Sequence, residues 1–225
     1  MLKVKILTLY PEMFPGFLGF SLTGKALAEN KWSLETVNIR DFATDKYGSV
    51  DDTPCGGGAG MVMRADILGA AIDAHHQSGK LLYMTPKGSP LTQQKLHELA
   101  KENELTIICN RFEGVDERVL EEYQPEEISI GDYILTGGEQ AAMIMLDGVI
   151  RLLDGVLGNA ESVADESFEN GLLEYPQYTR PIEWRDRKVP DILLSGHHEN
   201  IRKWRLEQSL KMTEAKRPDL LKKTS

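Results

Sequence analysis

The residues of this chain that could do chemistry emerge by elimination. The stretch PCGGGAGM (54–61) has the glycine density of a phosphate-cradling loop. No Gly-Lys-Ser/Thr follows it, so no lysine can reach a β- or γ-phosphate. Its glycines, flanked by Asp51 and Arg64, still let a flat or phosphate-bearing ligand approach bare backbone. The histidines occur as His75-His76, His97 and His197-His198, with no Cys-x-x-Cys or His-Glu-x-x-His beside them, so we assign no metal site. No Gly-x-Ser-x-Gly elbow supports a serine nucleophile. The two cysteines, Cys55 and Cys109, fit reduced cytosolic thiols better than a disulfide framework.

Three polar, glycine-bearing stretches remain, each directly behind an apolar run: TPKGSP (85–90), NRFEGVDER (110–118) and the joint inside ISIGDYILTGGEQAAMIML (128–146). The joint changes from a strand pattern to a helix pattern across Gly131, Gly137 and Gly138. Such stretches present backbone N–H and C=O groups, and Lys87, Arg111 and Arg118 are their only cations. That surface suits a neutral, hydrogen-bonding adenine and ribose better than a triphosphate. Periodicity alone leaves three ordinary turns as the other reading. A fourth stretch, GNAESVADESFENG (158–171), crowds Glu161, Asp165, Glu166 and Glu169 together without a period and reads as a linker or an ordering loop.

The elements that must position these stretches alternate in type. Strand patterns fall at KVKILTLY (3–10), WSLETVNI (32–39), KLLYM (80–84), LTIIC (105–109) and EEISI (126–130). Helical periods fall at SLTGKALAEN (21–30, with Ser21 as N-cap), RADILGAAIDAHHQ (64–77), LTQQKLHELAKEN (91–103) and DERVLEEY (116–123), and a last helix opens at Glu139. Strands alternating with helices predict an α/β fold, a parallel sheet flanked by helices. Its ligand would bind at the carboxyl ends of the strands, where all three glycine-bearing stretches lie. The first strand is followed by YPEMFPG and not by a Gly-x-Gly turn, so the dinucleotide fingerprint is missing.

After Leu157 the alternation stops. The stretch LLEYPQYTRPIEWRDRKVPD (172–191) is irregular, and HENIRKWRLEQSLKMTEAKRPDLLKK (198–223) returns to helical spacing, with Ile201, Trp204, Leu210 and Met212 as core contacts. We therefore expect a large domain over 1–160, a linker over 161–171 and a small helical domain over 172–225. The 225 residues carry a net charge of −9, yet from Arg180 onward 12 basic residues face 7 acidic ones. An acidic body with a basic tail suggests a nucleic-acid partner, with a solvated basic helix as the other reading that charge alone leaves open. No apolar run is long enough to span a membrane, and the N-terminus lacks a cleavage site, so a cytoplasmic protein is expected.

Six blocks, LTLYPEMF, VDDTPCGGGAGM, GDYILTGGE, GVLGN, SFENGLLEYPQYTRP and SGHHENIRKWR, together closely resemble the bacterial tRNA (guanine-N(1)-)-methyltransferase family, in order and over essentially the whole chain. The resemblance implies a knotted SPOUT methyltransferase, with a deep trefoil knot formed by the later βα loops. It implies a homodimer that moves the methyl of S-adenosylmethionine to N(1) of guanosine 37 of tRNA, favouring a preceding guanosine. Residue by residue, it implies a cofactor site of Tyr83, Met84, Pro86, Gly88, Asn110, Glu113, Ser129, Ile130, Gly131, Asp132, Tyr133, Ile134, Leu135, Gly137 and Gly138. Asn110 stands where the family usually has glycine, and its tolerance of left-handed backbone should let the turn survive. Phe112 and Cys55 each replace a tyrosine.

The same resemblance places Gly56, Gly58 and Gly60 near the target nucleotide, and Arg202, Lys203 and Arg205 are expected to contact tRNA phosphates. Guanine N(1) is protonated at neutral pH, so a base must act, and a cation must meet the charge that spreads toward O6. The resemblance gives the cation as Arg151 and the base as a carboxylate of ADESF, acting in relatives against the cofactor of the other subunit. Unbroken spacing from GVLG to SF favours Glu166, with Asp165 as the alternative. The sulfonium is already activated, so no metal is expected for the chemistry, and the sequence is silent on magnesium. A noncatalytic RNA-binding module and a nicotinamide-dependent α/β enzyme are the competing readings.

Overall fold

The structure, a computed structural model, describes residues 1–158 and 166–221. The chain falls into two compact units that divide after Gly158. In the first, five parallel strands form one sheet: β1 (Leu2–Thr8), β2 (Trp32–Asn38), β5 (Lys80–Pro90), β6 (Glu104–Cys109) and β7 (Glu126–Ser129), in the order β2-β1-β6-β5-β7. Two short strands, β3 (Asp51–Asp52) and β4 (Val62–Met63), pair beside the glycine loop. The expected parallel α/β sheet is present.

Both faces of the sheet are covered, which is why its strands read as near-continuous apolar runs. On one face Val4, Ile6, Leu82, Met84 and Ile107 pack with Ala26 of α1 (Ser21–Ala28), Leu99 of α3 (Gln93–Leu99) and Ala142, Leu146 and Val149 of α5 (Gly138–Ile150). On the other, Leu7, Tyr83 and Ile108 meet Ile67, Leu68 and Ile72 of α2 (Ala65–His75) and Val119 of α4 (Glu117–Tyr123). The helices start where the residue types ask for it. Thr92 accepts from Lys95 N at 3.2 Å ahead of α3, and Asp116 accepts from Arg118 N at 3.0 Å ahead of α4.

Ser21 departs from expectation. It is the first residue of α1 with φ +51°, and the cap is Phe20, in extended backbone without a side-chain cap. The chain enters from the 3-10 turn Gly16–Gly19, and Gly24 packs against the Gly19 carbonyl. That approach sets the helix start in place of serine chemistry.

The stretch 85–90 also differs from a simple loop. It is an excursion within β5: Met84 and Ser89 both pair with Ile128 of β7, and the residues between them bulge out of the ladder. The bulge is held at its base by Gly88, where a Cβ would run into Ile128 N and the Glu127 carbonyl.

In the second unit, Phe168 N donates to Leu172 O at 2.8 Å, and Glu174 N donates to Ser167 Oγ at 3.0 Å. The stretch expected to be irregular contains one antiparallel ladder, β8 (Glu183–Trp184) with β9 (Arg187–Lys188). Arg185 and Asp186 turn it, both at positive φ, as a two-residue hairpin requires. The long helix His198–Lys216 buries Ser209 and Thr213. Thr213 Oγ1 donates to Ser209 O at 2.7 Å and accepts from Leu173 N at 2.8 Å. Ile201, Trp204 and Met212 are half-buried, whereas Leu210 is 43% exposed. One position beyond buried Ser209, Leu210 is rotated about 100° off the packed stripe.

Because backbone and not a side-chain tip blocks the space at Gly88, we expect Gly88→Ala to cost about 1–3 kcal/mol, the usual range for overpacking. In a chain of this size that is roughly 2–4 °C of melting temperature per kcal/mol. A thermal melt unchanged from the parent protein would show that the bulge is not pinned there.

Candidate active site

The carboxyl ends of β5, β6 and β7 enclose a cavity of about 350 Å³. Tyr83, Met84 and Pro86 contribute from β5, and Asn110 and Glu113 from the stretch after β6. The joint after β7 contributes Ser129, Ile130, Gly131, Tyr133, Ile134, Leu135, Gly137 and Gly138. Of the residues expected here, Gly88 and Asp132 are not on the wall. Gly88 lies beneath it, against β7, and Asp132 is turned to solvent.

The turns that carry the wall are tied by short-range hydrogen bonds. Ser129 Oγ accepts from Gly131 N at 3.2 Å, and Tyr133 N donates to Gly131 O at 2.9 Å. Gly131 has φ +148°, where side chains are strained. Gly138 N donates to Asn110 O at 3.0 Å, and a Cβ on Gly138 would sit 3.0 Å from the Cys109 Cα. The start of α5 therefore rests directly on the end of β6, closing one side of the cavity. Glycines, apolar side chains such as Met84, Val115 and Leu120, and a few polar groups line the space, with the exposed Tyr133, Ile134 and Leu135 at its rim. This suits a flat, polar-edged ring system.

One group behind this wall was not anticipated from sequence. Glu139, in the first turn of α5, is 0% exposed. Its Oε1 accepts from Thr8 Oγ1 at 2.8 Å and from Arg111 Nε at 3.3 Å. Its Oε2 lies 3.0 Å from Arg111 Nη2 without hydrogen-bond alignment, a charge contact only. Arg111 also donates to Thr136 O at 3.0 Å, and its guanidinium sits 4.5 Å from the Tyr10 ring centroid. A Cβ at Gly137 would collide with Arg111 and Glu139, so that glycine leaves room for the pair. A glutamate opening a helix, with an arginine just past the neighbouring strand, was the signal available. Nothing in the sequence says that the two meet.

The environment sets the titration of its neighbours. Burial pushes the Cys109 thiol well up, so it is no nucleophile. Burial also raises the Tyr83 hydroxyl, opposed by its hydrogen bond with Thr85. Asn110 is not among the residues with positive φ, so the left-handed turn expected there does not occur. That strain falls instead on Phe112, at φ +62°, and on Gly114.

The glycine loop is attached to this cavity. Met61 O accepts from Glu113 N at 2.9 Å, and Gly114 O accepts from Met63 N at 2.9 Å. Gly60, at φ +84°, abuts the Glu113 side chain, whereas Gly56 and Gly57 have open space around them. Gly58 touches only Pro54. Cys55 is exposed.

Arg151 caps the C-terminus of α5 in the first unit. Asp165 lies outside the described residues. Glu166 lines a second cavity, of about 680 Å³, within the second unit, together with His198, Arg202 and Arg205. Arg205 stacks 4.6 Å from the Tyr175 ring centroid, with its Nε buried. Lys203 is turned away to Glu199, at 3.3 Å, so the three expected phosphate contacts do not share one face. Among the described residues no group of three or more His, Cys, Asp or Glu is placed to hold a metal ion. None of the described helices is long and apolar enough to cross a membrane.

Known proteins match this arrangement along the chain. The family model described as tRNA (Guanine-1)-methyltransferase TrmD matches residues 2–223. Proteins named tRNA (guanine-N(1)-)-methyltransferase from Brucella ovis and from Brucella melitensis biotype 1 are each 61% identical over 96% of this chain and 89% of their own length. One of the same name from Brucella suis is 61% identical over 96% of this chain and 88% of its own. A match of this extent, with a cavity at the carboxyl edge of a parallel sheet, makes the chain a member of the tRNA (guanine-1)-methyltransferase family.

Proposed function

We propose that this protein is a tRNA methyltransferase that moves the methyl of S-adenosylmethionine to N(1) of guanosine 37, favouring a preceding guanosine and releasing S-adenosylhomocysteine. The observation that carries this reading is the cavity enclosed by three βα stretches, in a chain that belongs to this family. When bound, the sulfonium supplies an already activated methyl group. The chain supplies the rest. Ile130, Gly131, Tyr133, Ile134 and Leu135, with Gly137 and Gly138, hold the adenine and ribose in register. Glu113, Glu117 and Glu127 on the wall favour a positively charged ligand.

Glu166 takes the N(1) proton, with neighbouring Asp165 as the alternative base, and Arg151 stabilises the charge that moves to O6. The open space around Gly56 and Gly57, and the contact of Gly60 with Glu113, support the glycine loop as the seat of the splayed-out nucleotide. Arg202 and Arg205, three residues apart on the helix, support phosphate contacts by the C-terminal unit, and exposed Lys203 adds to its field.

We assign the knot to the later βα loops. The sheet order puts β7 outside β5, and α5 then returns to rest on β6. The protein is proposed to work in the cytoplasm as a homodimer, with Arg151 and the base acting on the cofactor of the other protomer. The proposed domains are 1–160, the linker 161–171 and 172–225. A nicotinamide enzyme is disfavoured because β1 runs into the 3-10 turn Pro11–Met13 and not a Gly-x-Gly turn. A noncatalytic RNA-binding module leaves the cavity without a purpose.

Single-turnover methylation of a tRNA carrying guanosine 37 separates the two bases. Glu166→Gln should lower the rate about 100-fold or more, the rough scale of a lost general base, and Asp165→Asn should change it little. The reverse pattern would move the base to Asp165, and full activity in both would remove either from proton transfer. For the loop, Gly58→Val introduces a β-branched residue at φ +130° in an exposed turn. We expect methylation to fall while the melting temperature holds within a few degrees, since the strain of roughly 1–3 kcal/mol relaxes into solvent. A large drop in melting temperature with activity per folded molecule intact would make the loop structural.

A further inference from the structure

The wall of the first cavity carries three carboxylates, Glu113, Glu117 and Glu127, and two cations, Lys87 and Arg111. The two cations are not equivalent. Arg111 Nε donates to Glu139 Oε1 at 3.3 Å and its Nη2 lies 3.0 Å from Oε2 in a charge contact, in a site where its side chain is 18% exposed and that of Glu139 is 0% exposed. Glu139 is not part of the wall. Thr8 Oγ1 donates to this carboxylate at 2.8 Å, and the carboxylate belongs to the first turn of α5. Its charge therefore acts on the cavity by cancelling that of Arg111, which leaves three carboxylates facing one lysine.

We propose that Glu139 is a specificity-determining residue for the cofactor, by charge and not by contact. With Arg111 neutralised, the cavity favours the cationic sulfonium of S-adenosylmethionine over the neutral thioether of S-adenosylhomocysteine. The inference rests on the S-adenosylmethionine reading given above. Substrate and product share adenine, ribose and amino-acid groups, so contacts with those parts bear on both alike. A charge placed behind the wall shows only in their ratio. At an effective dielectric near 20, an uncompensated unit charge about 10 Å away changes the affinity of another by on the order of tenfold.

The test is isothermal titration of the full-length protein, without RNA, with S-adenosylmethionine and with S-adenosylhomocysteine. Glu139→Gln keeps the shape and the acceptor for Thr8 but leaves Arg111 charged. It should weaken S-adenosylmethionine by on the order of tenfold relative to S-adenosylhomocysteine. Adding Arg111→Gln removes the second charge and should restore the parent ratio, a rescue that a purely structural role would not produce. An unchanged ratio in Glu139→Gln overturns the proposal. So does loss of both ligands in single and double variants alike, or a shift that the double variant fails to restore, because the pair would then be setting shape. Failure of the parent protein to bind either ligand would instead refute the S-adenosylmethionine reading itself.

Discussion

The arrangement at the carboxyl edge of the sheet depends on one buried ion pair. Glu139 and Arg111 come from the two sides of the cavity, the start of α5 and the stretch after β6, and Thr8 joins them from β1. A carboxylate taken fully out of water is costly unless matched by a counter-charge and hydrogen bonds. That cost makes the alternatives poor: any arrangement of the joint that parts Glu139 from Arg111 leaves both unpaired. The pair thus holds the stretch around Thr136 to one position, and Gly137 supplies the space it needs.

The two cavities differ in the residues that line them. Around the first, glycine-bearing turns and apolar residues make up most of the wall, and Lys87, Arg111, Glu113, Glu117 and Glu127 stand among them. The cavity of the C-terminal unit is lined by Arg202, Arg205 and His198 together with Leu172 and Ile201 and, among the described residues, holds no glycine.

Much of the fold was legible because its strands are apolar over their whole length and its helices are not. A parallel sheet covered on both faces leaves that trace. The start of α1 was misread because a preceding 3-10 turn, not the serine, sets the helix entry. The bulge in β5 was read as a loop because a ladder that pauses at Met84 and resumes at Ser89 gives no local signal. Leu210 was misplaced because hydrophobicity was taken as burial, when the helix packs through Ser209 and Thr213. At the site, glycine-bearing stretches behind strands pointed to the edge where the cavity lies, and of the residues expected from the family blocks to line it, Gly88 and Asp132 are off the wall. The Arg111–Glu139–Thr8 group escaped both, since contact between residues 131 positions apart has no periodicity to announce it.

That separation bears on how the protein folds. The hydrogen bond between Thr8 and Glu139 closes across most of the first unit, and β7, whose following joint forms part of the cavity, is the last strand of the five-stranded sheet along the chain. Contacts between residues far apart along the chain form slowly, because the entropy of loop closure must be overcome before they are won. The first two strands can pair early, but no fragment that stops short of residue 139 contains the whole cavity or its clamp. Ligand recognition is therefore a late event in folding, gained with the final βα element on a nascent chain, and a chain that can bind its ligand has already completed the first unit.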